Sequence, residues 1–354
     1  MKLAVDSYRG LALADGPGRL DLSWTSDERD ALEPELSQAL APVLADAARH
    51  IAIYPVGDPY GRARLSPAVA RRFALGEDVD LVCGAGVGAL VAATARAFAT
   101  RRVAVLGSVY PDLPAWLARL GTAPVDPVDP VAGTLGPARA DVVFLEHPSL
   151  RASADAPDPA AIVDLCRRGF EAVVVDESNA NYMQAAESAL GIAPMPPNLV
   201  VLRGLSKAYG MGGLRCGYAA GGRDAVARIA AALPPLQVSS LSLAAAEAIL
   251  ALPDAVEARL RDAIAQARRA ACDALAAAGF PAPIASHPAL PYLLYDPDAD
   301  PLHRDAVARL ARLGIHGKRH LVHDGATGAL ARFSAPMRAD RRARLAALLG
   351  GGAP

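Results

Sequence analysis

Residues 198–220 read Asn198-Leu199-Val200-Val201-Leu202-Arg203-Gly204-Leu205-Ser206-Lys207-Ala208-Tyr209-Gly210-Met211-Gly212-Gly213-Leu214-Arg215-Cys216-Gly217-Tyr218-Ala219-Ala220. The apolar run Leu199 to Leu202 has the length and composition of a buried strand. The chain then breaks at Gly204 and presents Ser206 and Lys207 side by side. Gly210, Gly212, Gly213 and Gly217 follow, with Arg215 among them. Glycine admits φ > 0 and lets a ligand approach the backbone closely. A hydroxyl, a lysine and an arginine among glycines suit a phosphorylated carbonyl compound. The lysine can form a Schiff base, while Ser206 and Arg215 can hold phosphate.

Upstream, the pattern of an apolar run ending in polar residues recurs. Ala172-Val173-Val174-Val175 ends in Asp176-Glu177-Ser178-Asn179, placing an aspartate at the carboxyl end of a strand, where open parallel sheets bind ligands. Residues 141–145 form another apolar strand and lead into Glu146-His147-Pro148-Ser149-Leu150-Arg151-Ala152-Ser153. Residues 103–106 do the same before Gly107-Ser108-Val109-Tyr110-Pro111. Leu81-Val82-Cys83 meets Gly84-Ala85-Gly86-Val87-Gly88, which opens an apolar helix running to Phe98. Strand, glycine turn and helix N-terminus make an anion site, because free N–H groups and the helix dipole both favour phosphate. Pattern alone leaves a nucleotide loop open, but the G-x-G-x-G spacing and its surroundings make a poor dinucleotide fingerprint. Strands near 81, 103, 141, 172, 199 and 216 alternate with helical stretches. They predict an α/β fold, a mostly parallel sheet covered by helices on both faces.

The ordered set Asp176, Ser206-Lys207 and Arg215, with Arg215 eight residues after the lysine, resembles the fold-type I pyridoxal-phosphate enzymes. Within them it is most like the class I/II aminotransferases, in particular the histidinol-phosphate aminotransferase and threonine-phosphate decarboxylase groups. The resemblance runs from Tyr54 to the terminal helix. It implies pyridoxal 5'-phosphate as cofactor, held by Lys207 as a Schiff base, with Asp176 on the pyridine nitrogen and Tyr110 stacked on the ring. The phosphate falls to Gly84, Ala85, Gly86, Val87, Ser206 and Arg215, and Arg332 takes the substrate carboxylate. Tyr54, in Tyr54-Pro55, would cross to the phosphate of a partner subunit, so the resemblance also implies a homodimer with its site at the interface. Lys318 or Arg319 is a candidate contact for a distal substrate anion.

Two positions depart from the family's pattern. Leu150 stands where the family has an asparagine that bonds the cofactor's 3'-oxygen, and it cannot donate such a bond. Asn179 stands where the family usually has a tyrosine, and it keeps a donor. His147 or Arg151 is a candidate replacement.

The first fifty residues are a lead-in, with a short strand at Leu20-Asp21-Leu22-Ser23-Trp24-Thr25 and a helix over about 34–50 marked by Leu36, Leu40 and Leu44. Trp24 reads as an apolar packing residue first, with a ligand contact as the alternative. Residues 51–252 read as the large domain and 253–354 as a smaller α+β domain, joined by an amphipathic helix over 253–279. Pro291 to Tyr295 and Ala331 to Ser334 are its predicted strands. His316, His320 and His323 fall in a glycine-punctuated stretch, so no metal site is expected there.

Of the 354 residues, 21% are charged and 53% apolar, and the formal net charge of -1 gives no reason to expect a polyanion partner; no basic cluster is interleaved with aromatics, so no nucleic-acid binding is expected. Cys83, Cys166, Cys216 and Cys272 are far apart and form no C-x-x-C pair, as expected of thiols in the reducing cytoplasm. The N-terminus lacks a basic start followed by an apolar core, so no secretory signal is expected. No uninterrupted apolar run reaches the roughly eighteen residues of a membrane span. The leading expectation is an aminotransferase acting on a small amino acid or amino-acid-like amine. The altered residues 147–153 and Asn179 keep open a decarboxylase, an elimination or replacement enzyme, or an oxidase of a specialised pathway. A non-catalytic cofactor-binding protein is the third reading.

Overall fold

The apolar runs become strands whose two faces are both buried. The computed structural model describes residues 15–351 except 17, 25–26, 53, 108, 111, 123–139, 152–157 and 324–326. Thr25, Ser108, Pro111, Ala152 and Ser153 of the stretches quoted above therefore lie outside the described residues. The first elements are β1 (Leu20–Asp21), α1 (Asp27–Ala45), α2 (Ala47–Ala52) and α3 (Arg62–Phe73). An alternating series follows: β2 (Val79–Gly84), α4 (Val87–Ala97), β3 (Val103–Leu106), α5 (Asp112–Arg119), β4 (Val142–Glu146), α6 (Pro159–Arg167) and β5 (Ala172–Asp176). Then come β6 (Leu199–Gly204), β7 (Gly217–Gly222), α7 (Arg223–Ala231), α8 (Ser240–Leu250) and α9 (Asp254–Ala277). The remainder is β8 (Tyr292–Tyr295), α10 (Pro301–Arg312), β9 (Ile315–His316), β10 (Lys318–His323), β11 (Thr327–Ser334) and α11 (Ala339–Leu349).

Strands β2 to β7 form one sheet in the order β2-β7-β6-β5-β4-β3. β3, β4, β5 and β6 pair in parallel, and β7 runs antiparallel to both β6 and β2. Only β7 is reversed, so the mostly parallel α/β sheet is confirmed. Successive strand residues point to opposite faces. Val143, Leu145, Val173, Val175, Leu199 and Val201 therefore join the core under α1, α3, α8 and α9. Val142, Phe144, Val174, Val200 and Leu202 join the core under α4, α5 and α7. Burial on both sides is why these segments are continuously apolar and do not alternate.

A three-stranded antiparallel sheet, β10-β11-β8, packs with α9, α10 and α11 around a third core containing Leu293, Tyr295, Leu310 and Phe333. β1 pairs in parallel with β9, which draws the N-terminal segment across to the C-terminal part. Helix α1 begins at Asp27, seven residues before the expected start, and carries Pro34 and Pro42 within it. Its start is held from a distance. Asp27 accepts from the backbone N–H groups of Met337 and Arg338 and pairs with Arg341 at 2.5 Å. No described helix is long and apolar enough to cross a membrane.

Candidate active site

The carboxyl ends of β4, β5 and β6 open onto a cavity of about 390 Å³, closed on the other side by residues of β10 and β11. Lys207 reaches it from the loop that follows β6. This loop is strained: Ala208 (φ 65°) and Arg215 (φ 52°) take the left-handed backbone, which disfavours non-glycine residues by about 1 kcal/mol or more and clusters at ligand sites. Burial, then the charges of Arg332 and Lys318, lower the Lys207 amine to about 7, while Glu28 acts in the opposite direction. An amine near neutrality can both take and return a proton.

Asp176 ends β5 and lines the same cavity. Ser178 donates to its Oδ1 from the backbone N–H, at 2.9 Å, and from the hydroxyl. Both bonds go to one oxygen, which leaves Oδ2 for a ligand. Burial raises Asp176 to about 6, against the two Ser178 bonds. Glu146 stands in register with it at the end of β4, and its Oε1 accepts the Tyr110 backbone N–H. Burial and the adjacent Asp176 push Glu146 well above the usual carboxylate range.

The anion end is built around α4. Its first N–H groups have no carbonyl within the helix, and Val87, Gly88, Ser206 and Arg215 all line the cavity there. Gly84, Ala85 and Gly86, expected as direct contacts, are not part of that lining; Ala85 and Gly86 instead stand against the Arg215 guanidinium. The Ala85 N–H donates to Gln237 Oε1 at 3.2 Å, and its carbonyl accepts from Arg215 Nη2 at 3.2 Å. At Gly86, φ is +81°, a conformation that strains any other residue, and a Cβ would stand 2.8 Å from Arg215 Nη2, so a side chain there would also displace the guanidinium.

Tyr110 lines the cavity as expected. Arg332 is 4% exposed, donates from Nη2 to the Ser23 carbonyl at 3.1 Å, and lies 4.4 Å above the Tyr292 ring. Lys318 is its register partner on β10, buried, with its Nζ 5.3 Å from the centre of the Tyr110 ring. Arg319, the other candidate at that point, is exposed. Trp24 lines the cavity, where a packing role was expected; the pairing of β1 with β9 carries it there.

Leu150 is on the cavity wall and 2% exposed, so no donor replaces the family's asparagine at that position. Asn179 also lines the cavity, and its Oδ1 accepts from the Tyr292 hydroxyl at 3.3 Å, which leaves its N–H₂ as the available donor. The expected substitutes do not arrive. His147 Nε2 is bound to the Glu187 carbonyl at 2.8 Å, and Arg151 forms an ion pair with Asp296. Tyr54 is 71% exposed and does not line the cavity of its own chain. Glu146 and Asp112 are cavity residues that sequence reasoning missed. For Glu146 a signal existed, an acid closing an apolar strand in the manner of Asp176.

These residues fit pyridoxal 5'-phosphate. An amine is present for its carbonyl, a buried carboxylate for its ring nitrogen, an aromatic side chain for its ring, and a helix start with a serine and an arginine for its phosphate. Over residues 27–313 the chain matches the family of class I and II aminotransferases. It is 35% identical over 153 residues to an aromatic amino acid aminotransferase of Mycobacterium sp. (strain KMS), covering 41% of each chain. It is 40% identical over 113 residues to one of Mycolicibacterium smegmatis, covering 31% of each. The chain thus spans about two-fifths or less of the length of these relatives. In structure it is similar to the histidinol-phosphate aminotransferase of Clostridium acetobutylicum, with TM-score 0.72, 16% identity, and coverage of 94% of this chain and 98% of that one. It is similar too to N-succinyldiaminopimelate aminotransferase of Mycobacterium tuberculosis, with TM-score 0.72, 20% identity, and coverage of 94% and 93%. With the lysine, aspartate and arginine at the edge of its parallel sheet, this chain belongs to the class I and II aminotransferase family.

Proposed function

We propose that the protein transfers the amino group of a small amino acid, or an amino-acid-like amine, to a keto acid with pyridoxal 5'-phosphate as cofactor. One observation carries this reading. The Lys207 amine, near neutrality, shares a cavity with a buried carboxylate, Asp176, and a buried guanidinium, Arg332. When bound, the cofactor supplies an electron sink for charge left on the substrate carbon. Asp176 would hold the ring nitrogen and favour its protonated form. Arg332 would fix the substrate carboxylate through a planar fork of donors. Lys207 Nζ would then take the proton from the substrate carbon and return it one position away. Val87, Gly88, Ser206 and Arg215 would anchor the phosphate, so that the ring stays in place while Lys207 moves.

The same reading makes the working unit a homodimer in the reducing cytoplasm. Tyr54 faces outward with Ile51 (73% exposed) and Val56 (69% exposed), an apolar surface suited to a second copy that would carry the tyrosine to the partner's phosphate site. The four cysteines are free thiols. The test is a panel of amino acids and keto acids offered to cofactor-loaded protein, with amino-group exchange read by mass spectrometry. No exchange across the panel would overturn the reading. Leu150 on the cavity wall favours a second one, loss of carbon dioxide or ammonia, which would show as release of either gas without any keto acid present.

A further inference from the structure

Lys207 is carried on a strained turn. The Tyr209 N–H donates to the Lys207 carbonyl at 2.8 Å and closes a three-residue turn, with Ala208 at φ 65° in its middle. A turn of this kind with a positive central φ is the rare form, and such backbone persists only where the surrounding structure over-determines it. Before the turn, the chain is fixed at Gly204, whose carbonyl accepts from Asn181 Nδ2 at 2.5 Å. After it, Gly210 has φ 64° and packs on α1, where a Cβ would stand 2.8 Å from the Cβ of Arg29. Neither contact acts on the turn itself.

The Tyr209 side chain does act on it. Lys207 lines the cavity, while Tyr209, two residues on, lies in the main core beneath. The Tyr209 hydroxyl donates to Glu257 Oε1, and Oε2 of the same carboxylate pairs with Arg72. All three side chains are buried. A hydrogen bond to an ionised acceptor is roughly twice as strong as a neutral one, and a buried carboxylate stays ionised when it is paired. Arg72 comes from the last turn of α3 and Glu257 from the first turn of α9. Helix α9 gives Val256, Leu260 and Ile264 to the main core and Ala271 and Leu275 to the third core. The phenol is therefore fastened to two helices that the rest of the packing holds in place.

We propose that Tyr209 is a positioning residue for Lys207: its phenol, clamped by Glu257 and Arg72 in the core, holds the turn that presents the amine to the cavity. This rests on reading Lys207 as the amine that carries the cofactor. Lys207 Nζ must reach the substrate carbon and the position next to it, and misplacement by about 1 Å can lower a rate by about 10²-fold. A long side chain meets both points reproducibly only from a fixed backbone. The clamp touches neither the residues placed at the phosphate nor Arg332, so it acts on the proton-moving step and not on substrate binding.

The test compares wild type with Tyr209→Phe, which keeps the ring in the core and removes only the hydroxyl. In cofactor-free protein, amide hydrogen exchange over residues 205–211 is expected to be about tenfold faster, with the β4 and β5 peptides unchanged. The initial rate at which pyridoxal 5'-phosphate is fixed on Lys207 by borohydride, read on its peptide by mass spectrometry, is expected to fall about tenfold. In the steady state kcat is expected to fall by about the same factor, with KM within about twofold of wild type. A merely structural loss would speed exchange along the whole chain. Unchanged exchange over 205–211, a speed-up spread evenly over the chain, or an unchanged rate of fixation in folded Tyr209→Phe overturns the proposal. If that variant does not fold, as judged by circular dichroism, Glu257→Gln takes its place. It offers the phenol an amide oxygen instead of a carboxylate and is expected to move both readouts the same way by about threefold. No change there overturns the proposal equally. If the wild-type lysine is not fixed at all, the cofactor reading fails, and the exchange comparison still decides whether the clamp holds the turn.

Discussion

The strand ends of β5 and β6 and the strand end of β4 open at the same edge of the same sheet, yet they supply different things. After β5 and β6, Asp176, Asn179, Ser206 and Lys207 all face the cavity. After β4 the polar side chains turn away. His147 is bound to the Glu187 carbonyl, Arg151 is paired with Asp296, and Leu150 belongs to the main core while forming wall. A polar residue beside a site in sequence is available to it only if the surrounding structure leaves it unsatisfied. A buried donor or acceptor takes the nearest partner, because leaving it unmade is expensive.

The contrast can be broken by mutation. Lys207→Ala should reduce amino-group exchange by about 10³-fold or more and abolish the visible absorption band of cofactor-loaded protein. His147→Ala, on the β4 side, should leave the rate nearly unchanged and lower stability by about 1 kcal/mol, seen in a urea melt. Equal losses of rate in the two variants would erase the distinction.

Asp176→Asn should lower the rate by about 10²-fold, the scale of removing one preorganised charge from a dry site. Its pH signature has a definite sign. The folded-state value of about 6 lies above the ordinary 3.8, so the folded protein binds this proton more tightly than the unfolded chain. The Asp176 contribution to stability is therefore present at low pH and is lost as pH rises from about 4 through about 6. Melting of cofactor-free protein should show that slope, and Asp176→Asn should flatten it.

Arg332→Gln should raise KM for the amino acid by about 10- to 100-fold, the scale of one lost charge-assisted interaction, with a smaller effect on kcat. A fall in kcat alone would place the arginine outside carboxylate recognition. The smallest expected change sharpens the comparison from the β4 side. Leu150→Asn restores a donor where the family has one, and it should shift the visible band and alter the rate by only several-fold. It should also cost about 1–3 kcal/mol of stability, since it places an amide in a core position. A much larger gain in rate would show that β4 is the deficient part of the site.

Much of this was legible in the residues. The apolar runs predicted the sheet because strands buried on both faces must be apolar throughout. Asp176, Ser206, Lys207 and Arg215 were visible because local chemistry at a strand end or glycine turn leaves a readable signature. Helix α1 was read as starting near residue 34, because its true start is anchored by Met337, Arg338 and Arg341, more than 300 positions away. Trp24 was read as packing for the same reason, since only the β1–β9 pairing shows where it goes.

By itself, the sequence determined the parallel sheet, the order of its strand ends, and the lysine, aspartate and arginine placed on them, all properties of short contiguous segments. Only the tertiary structure decided that Glu146 stands against Asp176, that Lys318 and Trp24 face the cavity, and that His147 and Arg151 are taken up elsewhere. Which buried polar groups find partners depends on elements far apart in the chain, and those unmatched groups are what a site has left to work with.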